Sequence, residues 1–271
     1  AYVSGSFRAG TNVSVEYRVK GNEEWTELDA SAITKTGNTS YSAELTGLQS
    51  GTDYEVRALA GGSEGEAYSF QTETIVTLPN MNFDTWTQSG KTWYPNPVAN
   101  NYDDPQAYWA TGNEGVTIYK ESSTVPVTGS DAYKGKAAKM YTYGDIVLVG
   151  AAAGNLFIGT YKTNIGKPVD SPSFGRPYSG ARPTKLSGYY KYKPMPISND
   201  GTVPGNLKTD QCHIYLKLWN ASGQEIAYGE FVGSETVTAY TKFEFDIEYS
   251  DTQSKPAKIA IVATSSRYGF C

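Results

Sequence analysis

The sequence predicts an all-β fold with two domains, and three observations carry this prediction. The 271 residues include 22 Tyr, 28 Gly and 13 Pro but only 3 Met, a composition typical of β proteins with many turns. Short segments in which polar and apolar residues alternate recur along the chain, with Gly, Pro or Asn between them. No helical period competes with these segments, so we expect packed antiparallel sheets.

The first domain, residues 1–76, is predicted from a series of strands and a corner. Polar residues alternate with Val13, Val15, Tyr17 and Val19, Trp25 follows a Gly21-Asn22 turn, and another short strand covers 41–45. Leu48, Gly51 and Tyr54 then have the arrangement of a tyrosine corner, in which the Tyr hydroxyl bonds to backbone a few residues upstream. On these residues the domain resembles a fibronectin type III module. The resemblance implies an extracellular spacer, with recognition or chemistry in the second domain.

The second domain, residues 77–271, is predicted to be a β jelly roll. Pro79 marks the boundary near residue 77, and a long aromatic, irregular stretch follows it. Seven strands are then predicted, over residues 137–141, 155–158, 186–192, 212–219, 226–231, 243–249 and 258–262. Gly, Pro or Asn separates these strands, which favours two packed antiparallel sheets in a jelly-roll arrangement.

Charge and hydropathy exclude several classes of function. The net charge is −5 and the isoelectric point is near 5.1, with no Lys/Arg cluster, so nucleic acid is not an expected partner. No apolar run approaches the ~18 residues of a transmembrane helix. The start at Ala1 lacks the features of a secretory signal, so an exported protein would have lost its signal, and a lipid anchor would lie upstream. We expect a monomer.

The cysteines and the single histidine offer little chemistry. Cys212 and Cys271 are too far apart in sequence to indicate a metal knuckle or a redox pair. Cys212 falls on the apolar side of its strand, and both a buried thiol and a disulfide remain open. His213 is the only histidine, so the sequence predicts neither a Ser-His-Asp triad nor a multi-histidine metal site.

Aromatic residues in the irregular stretch are candidate ligand-binding residues. Sugars are bound when aromatic rings stack on their C–H faces while polar side chains meet their hydroxyls. This mixture is supplied by Trp86, Trp93, Tyr94, Trp109 and Asn113. The alternative is that these rings fill one end of the sandwich as core.

Several separated motifs resemble one bacterial family. They are Leu78–Trp86, Trp109–Asn113, Ala151–Gly159, Gly175–Tyr178 and Arg182–Pro194. Over most of residues 78–268 the chain resembles the family called the putative carbohydrate metabolism domain. Its members are similar to jelly-roll carbohydrate-binding modules and are typically surface or secreted lipoproteins of gut bacteria. The resemblance implies involvement with glycans and names no reaction.

The motif around residues 175–183 holds three further candidates for ligand binding. Arg176 and Arg182 each precede a Pro, which keeps the Arg backbone extended. An extended Arg can offer a bidentate fork to an acidic sugar, and Tyr178 lies between the two. In the alternative interpretation both Arg side chains brace loops by pairing with Asp or Glu.

The strand 212–219 has one face that is polar and aromatic. Alternation puts His213, Tyr215, Lys217 and Trp219 on the side opposite Ile214, Leu216 and Leu218. Such a face suits a shallow glycan platform. A loop or the first domain covering this face is the alternative.

The acidic strand Glu244, Asp246 and Glu248 is the candidate for catalysis. It resembles the Glu-x-Asp-x-Glu strand of retaining jelly-roll glucanases, and alternate strand residues project the same way about 6.5 to 7 Å apart. The Gly or Gln expected after that motif is absent, and Phe243, Phe245, Ile247 and Tyr249 make the other side a core pattern. A solvated outer face is the simpler interpretation.

Metal binding has weak support, because scattered carboxylates alone do not define a site. Asp103, Asp104 and Asp145 are the candidates for a calcium ion, and no other cofactor is predicted.

The residues and the family resemblance together predict an exported bacterial protein whose second domain binds a polysaccharide or oligosaccharide. The resemblance implies that the protein is an outer-membrane lipoprotein and belongs to a glycan-utilisation system at the cell surface. A glycoside hydrolase on the same jelly roll is the first alternative. A structural adhesin component that binds protein is the second.

Overall fold

The computed structural model describes residues 1–99, 104–146, 150–197, 203 and 207–269, and its regular structure is almost entirely β. The all-β prediction is therefore confirmed. The chain divides into two compact units, Ala1–Val76 and Thr77–Cys271. The described residues contain no helix with the length and apolarity that a membrane span requires.

Unit 1 is a sandwich of two antiparallel sheets. Its strands are β1 (Tyr2–Ser6), β2 (Val13–Val19), β3 (Thr26–Glu27), β4 (Ile33–Thr36), β5 (Ser40–Glu44), β6 (Asp53–Ala60), β7 (Ser63–Glu64) and β8 (Tyr68–Gln71), with a 3-10 turn at Ala30–Ala32. One sheet has the order β1-β5-β4 and the other β3-β2-β6-β7, while β8 also pairs with β6. Alternating apolar residues of both sheets form a common core that includes Val15, Ala43, Leu45 and Val56.

The predicted corner of unit 1 is present at Tyr54. The Gln49 N–H donates to the Tyr54 hydroxyl at 3.0 Å, and the Tyr54 ring is buried and stacks on Phe70. This contact ties the turn before β6 to the strand itself. The resemblance of unit 1 to a fibronectin type III module stays a prediction.

Unit 2 contains the remaining strands. They are β9 (Thr87–Ser89), β10 (Thr92–Tyr94), β11 (Trp109–Ala110), β12 (Thr124–Val127), β13 (Ala137–Met140), β14 (Tyr143–Ile146), β15 (Gly150–Ala152), β16 (Asn155–Tyr161), β17 (Pro172–Phe174), β18 (Arg176–Pro177), β19 (Lys185–Tyr192), β20 (Cys212–Trp219), β21 (Glu225–Gly233), β22 (Val237–Asp246), β23 (Glu248–Tyr249) and β24 (Lys258–Thr264). In the part of unit 2 that the structure describes, a short helix, α1, covers Asn113–Val116, and 3-10 turns cover Gly129–Asp131 and Pro168–Asp170.

The main sheet of unit 2 has the order β11-β16-β24-β20-β21-β23. Its pairings are antiparallel, and the last strand, β24, lies in the middle between β16 and β20. Its inner face carries Leu216, Leu218, Ile259 and Ile261, which belong to the largest core cluster.

A second layer covers the inner face of the main sheet. It consists of the pairs β12-β13 and β19-β22, and Met140, Leu186 and Phe245 of these strands pack against the core. Between β13 and β24 the chain passes repeatedly from one layer to the other, which is the connectivity expected of a jelly roll. The inner face is thus core, and the outer face of the main sheet is left for other roles.

The predicted strand 243–249 is divided in two. The peptide N–H of Ile247, which is buried, donates to the Thr184 carbonyl at 2.9 Å. Before this residue β22 pairs with β19 in the second layer, and after it β23 pairs with β21 in the main sheet. One continuous segment therefore contributes to both layers.

Candidate functional site

The outer face of the main sheet forms the floor of a groove with a cavity volume of about 580 Å³. His213, Tyr215 and Lys217 of β20 and Tyr228 of β21 line it, because alternate residues of a strand point to the same side. Beneath them Phe157 joins a small core cluster with Ala110, Ala260 and Val262, against which Tyr215 packs. The polar and aromatic face predicted for β20 is thus part of a concave surface.

Two segments form the walls of the groove. One is α1 with the turn after it, residues 112–119, and the other runs from the end of β16 to β17, residues 161–174. The second wall is fixed by the Ser171 side chain, which is buried and accepts the N–H of Asn164 at 3.0 Å. Residues 151–153 and Arg267, after β24, also line the groove.

Glu230 does not itself line the groove, but it is the centre of a polar cluster with three residues that do, His213, Tyr228 and Arg267. Its Oε2 receives the Tyr228 hydroxyl at 2.8 Å and lies 2.7 Å from His213 Nε2 and 3.5 Å from Arg267 Nη2. Burial alone would raise the pKa of Glu230, but the bonds from Tyr228 and His213 and the nearby positive charge outweigh it and lower the pKa. The carboxylate is therefore held ionised.

His213 is held in its neutral form. Burial lowers the pKa of the imidazole below its ordinary value, and the opposing effect of Glu230 does not reverse this. A neutral ring that donates through Nε2 to Glu230 leaves Nδ1 as a hydrogen-bond acceptor. Burial and the bond to Glu230 raise the pKa of Tyr228, so its hydroxyl stays protonated and acts as a donor.

Three rings lie next to one another on this floor. The centroids of His213 and Tyr215 are 4.8 Å apart, and those of Tyr215 and Tyr228 are 6.2 Å apart, with interplanar angles of 40° and 39°. The ammonium group of Lys217 lies 5.2 Å from the Tyr228 ring centre and 2.9 Å from Glu225. The floor therefore combines aromatic faces with fixed donors and acceptors, which is what a polyol ligand needs.

The predicted loop aromatics lie elsewhere. Trp86 is half-buried and donates its indole N–H to the Phe83 carbonyl at 2.6 Å. Trp93 and Tyr94 are half-buried on β10, where the Tyr94 hydroxyl donates to Glu114 at 3.3 Å and burial raises its pKa. None of these three side chains lines the groove.

Trp109 and Asn113 serve the interior of unit 2. Trp109 is 3% exposed, donates its indole N–H to the Pro79 carbonyl at 2.7 Å and makes an edge contact with Phe83. Asn113 is fully buried, and its amide donates to the Trp93 and Thr124 carbonyls and accepts the Thr124 N–H. These contacts hold the irregular stretch against the sheet, as the packing alternative expected.

The Arg-Pro motifs brace loops through backbone carbonyls. Arg176 donates to the carbonyl of Ala107, and Arg182 donates to that of Thr252. The Tyr178 hydroxyl donates to the Ala181 carbonyl at 2.5 Å. These three side chains also lie outside the groove lining.

The acidic strand does not bring all three of its carboxylates together. Glu244 and Asp246 are on the exposed side of β22, where Lys185 lies 3.4 Å and 3.0 Å from them, and Lys242 lies 2.7 Å from Glu244. The bond and charge of Lys242, followed by those of Lys185, lower the pKa of Glu244. Glu248 lies on β23, in the other layer. The sheet change at Ile247 therefore interrupts the motif.

Calcium and disulfide formation stay predictions. Asp104 accepts the Gln106 N–H at 2.8 Å, while Asp103 and the side chain of Asp145 lie outside the described residues. Among the described side chains, no group of three or more His, Cys, Asp or Glu is placed to hold a metal ion. Cys212 is buried, and burial raises its pKa. Cys271 lies outside the described residues.

Sequence reasoning missed part of the groove. Tyr228 and Glu230 could have been found, because they alternate with the buried Ala227 and Gly229 on a strand that follows β20 after a short turn. Arg267 follows the last strand and shows no local pattern that would place it beside Glu230.

Three solved structures are similar to this chain, and the first of them supports its architecture. A putative glycoside hydrolase from Bacteroides thetaiotaomicron VPI-5482 matches with a TM-score of 0.57 and 22% identity, over 90% of this chain and 79% of that chain. A second from Bacteroides vulgatus ATCC 8482 has a TM-score of 0.48 and 23% identity, over 58% and 76%. A structure of carbohydrate-binding modules of the β-sandwich superfamily has a TM-score of 0.30 and 11% identity, over 96% and 81%. At these identities the first likeness shows the fold alone. No curated protein matches the chain.

The sequence also matches a family model over residues 82–270, under the description putative carbohydrate metabolism domain. The matched range contains the groove, both of its walls and the Glu230 cluster. It covers well over half of the chain and agrees with the resemblance seen in the sequence motifs. The chain therefore belongs to the putative carbohydrate metabolism domain family.

Proposed function

We propose that unit 2 binds carbohydrate in the groove on the outer face of its main sheet. The observation that carries this proposal is the Glu230 cluster, which lies beside the rings of His213, Tyr215 and Tyr228. Family membership ties the domain to carbohydrate metabolism, and the groove supplies the chemistry that sugar recognition requires.

The groove offers two kinds of contact to a sugar. The ring faces of Tyr215 and Tyr228 suit the C–H face of a pyranose. Within the described part of the chain, the contacts to Glu230 all use Oε2, so Oε1 is available to accept from a sugar hydroxyl. The Arg267 guanidinium lies 3.5 Å from Glu230 Oε2 and has further N–H groups for a neighbouring hydroxyl.

Binding is better supported than hydrolysis. A glycoside hydrolase uses one carboxylic acid whose pKa is raised and a second carboxylate across the scissile bond. Glu230 has the opposite property, because its hydrogen bonds lower its pKa. An ionised, triply contacted carboxylate is suited to accept hydrogen bonds from a ligand.

We extend the proposal to the setting of the protein. A polysaccharide or oligosaccharide captured at the bacterial cell surface is the ligand that the family resemblance favours, with unit 1 as a spacer.

A glycan array followed by isothermal titration calorimetry of the best ligand tests the proposal. Glu230→Gln and Arg267→Ala should each lower affinity about tenfold or more, because hydrogen bonds to charged groups are the strong ones. Lys139→Ala, an exposed position on β13 outside the groove lining, is the matched control and should bind like the wild type. If both variants bind the ligand with wild-type affinity, the binding site lies elsewhere.

A further inference from the structure

The walls of the groove expose large apolar side chains. Five of them lie there, with exposed fractions of 50% for Ile118, 43% for Tyr119, 59% for Ile165, 58% for Val169 and 37% for Phe174. They come from both walls and therefore face one cavity. On soluble proteins, exposed apolar patches of this kind mark binding sites.

Polyol recognition does not account for the three aliphatic side chains among them. A sugar ring stacks on flat aromatic faces, whereas Ile118, Ile165 and Val169 are branched and aliphatic and carry no hydrogen-bonding group. They also lie on the walls, whereas His213 and Tyr228, which hydrogen-bond to Glu230, lie on the floor. The groove thus has a polar floor, and its walls carry an aliphatic rim formed by Ile118, Ile165 and Val169.

We propose that the ligand of this groove is amphipathic, a sugar that carries an aliphatic chain. The inference rests on the proposed carbohydrate function and specifies the class of ligand. The sugar lies on the floor against Tyr215, Tyr228 and Glu230, and its chain lies along the rim formed by Ile118, Ile165 and Val169. An acylated glycan and the headgroup region of a glycolipid both have this chemistry.

Both parts of such a ligand fit within a single cavity. The volume of about 580 Å³ lies within the range of sites for small organic ligands, so a monosaccharide and a short chain fit together. The rim side chains are half exposed or more, which means that an occupying chain removes existing apolar surface from water and needs no opening of the core.

A series of alkyl glycosides tests this inference. Methyl, ethyl, butyl, hexyl and octyl β-glucosides, and the matching β-galactosides, are titrated into the full chain below their micelle concentrations. Affinity should rise about twofold to fourfold for each methylene that contacts the rim. A rise that ends at ethyl indicates an acetyl-sized substituent, and a rise that continues to octyl indicates a glycolipid.

Variants locate the effect. In the triple variant Ile118→Thr, Ile165→Thr and Val169→Thr, the ratio of octyl to methyl affinity should fall toward one, because the rim becomes polar and loses apolar surface while each side chain stays branched at Cβ. Met195→Thr, which is 59% exposed and outside the groove lining, is the control and should keep the wild-type ratio.

Three results would overturn the inference. They are equal affinities along the alkyl series, no binding of any octyl glycoside, and a chain-length effect that the triple variant retains. In each case the proposed carbohydrate function would still hold if a glycan from the array binds the wild type and binds Glu230→Gln more weakly. Conversely, octanol that binds as tightly as octyl glucoside, together with an array without ligands, would overturn the carbohydrate function as well.

Discussion

His213 Nε2 lies 2.7 Å from Glu230 Oε2, so the single histidine of the chain is fixed by a carboxylate on the neighbouring strand. The two residues are diagonal neighbours across β20 and β21, since Tyr215 is directly opposite Glu230. The contact orients the imidazole over the groove and links its protonation to the charge of Glu230.

We expect stability to fall as the pH drops below 6.5, the ordinary value from which burial lowers the pKa of His213. In this window the unfolded chain binds the proton more readily than the folded one. The stability that neutral His213 contributes is therefore fully present above pH 6.5, and it is lost as the pH falls toward the lowered pKa of the imidazole. Melting temperatures of the wild type and His213→Gln across this window check the expectation. A difference between the two proteins that does not change with pH would contradict it.

The ring of Tyr228, rather than its hydroxyl, should carry most of its contribution to ligand binding. Tyr228→Ala removes the stacking face and should lower the affinity for a glycan identified on the array about fivefold to tenfold. Tyr228→Phe keeps the ring and should lower it less. Tyr133→Ala, at a Tyr that is 55% exposed and outside the groove lining, serves as the control in titration calorimetry. Equal losses in the Phe and Ala variants would refute the stacking role.

Asn113→Ala should destabilise unit 2 strongly. The substitution leaves the Thr124 N–H and the Trp93 and Thr124 carbonyls without their buried partner, at a cost of about 2 to 4 kcal/mol in the free energy of unfolding. Denaturant unfolding followed by tryptophan fluorescence measures it. Asn82→Ala, at an exposed position, should cost less than about 0.5 kcal/mol. A small effect of Asn113→Ala would mean that the interior rearranges to satisfy these groups.

The acidic strand should be dispensable for chemistry. Glu244→Ala and Glu248→Ala should leave the melting temperature and glycan binding as in the wild type, because Glu244 is exposed and paired with lysines and Glu248 lies in the other layer. Hydrolysis assays on array-identified glycans check the catalytic alternative. An activity present in the wild type and lost in either variant would show that these carboxylates catalyse a reaction.

The strands of unit 2 were largely predictable because their alternation is strong. β20 begins and ends at the predicted residues, 212 and 219, and β19 and β24 differ by one or two residues at an end. The interruption at Ile247 could not be predicted, since the apolar period continues through it. The segment is divided because its first part pairs with β19 in the second layer and its last part pairs with β21 in the main sheet.

The candidate site was predictable where it lies on one strand. Alternation placed His213, Tyr215 and Lys217 on a common face, and the structure puts them in the groove. Composition directed attention to Trp109 and Asn113 instead, because aromatic and amide residues suit ligands and interiors equally well. Whether such a residue is buried depends on distant partners such as Pro79, which local sequence does not specify.

The position of β24 in the middle of the main sheet has a consequence for synthesis on the ribosome. β16, β20 and β21 leave the ribosome before the strand that joins them, so the two halves of the sheet cannot pair until the C-terminal part of the domain has emerged. Until then each half presents an unpaired edge, a state in which nascent chains are prone to aggregate. Arg267 follows β24, so the lining of the groove is complete only after this last insertion, and the proposed ligand binding would report that the whole domain has folded.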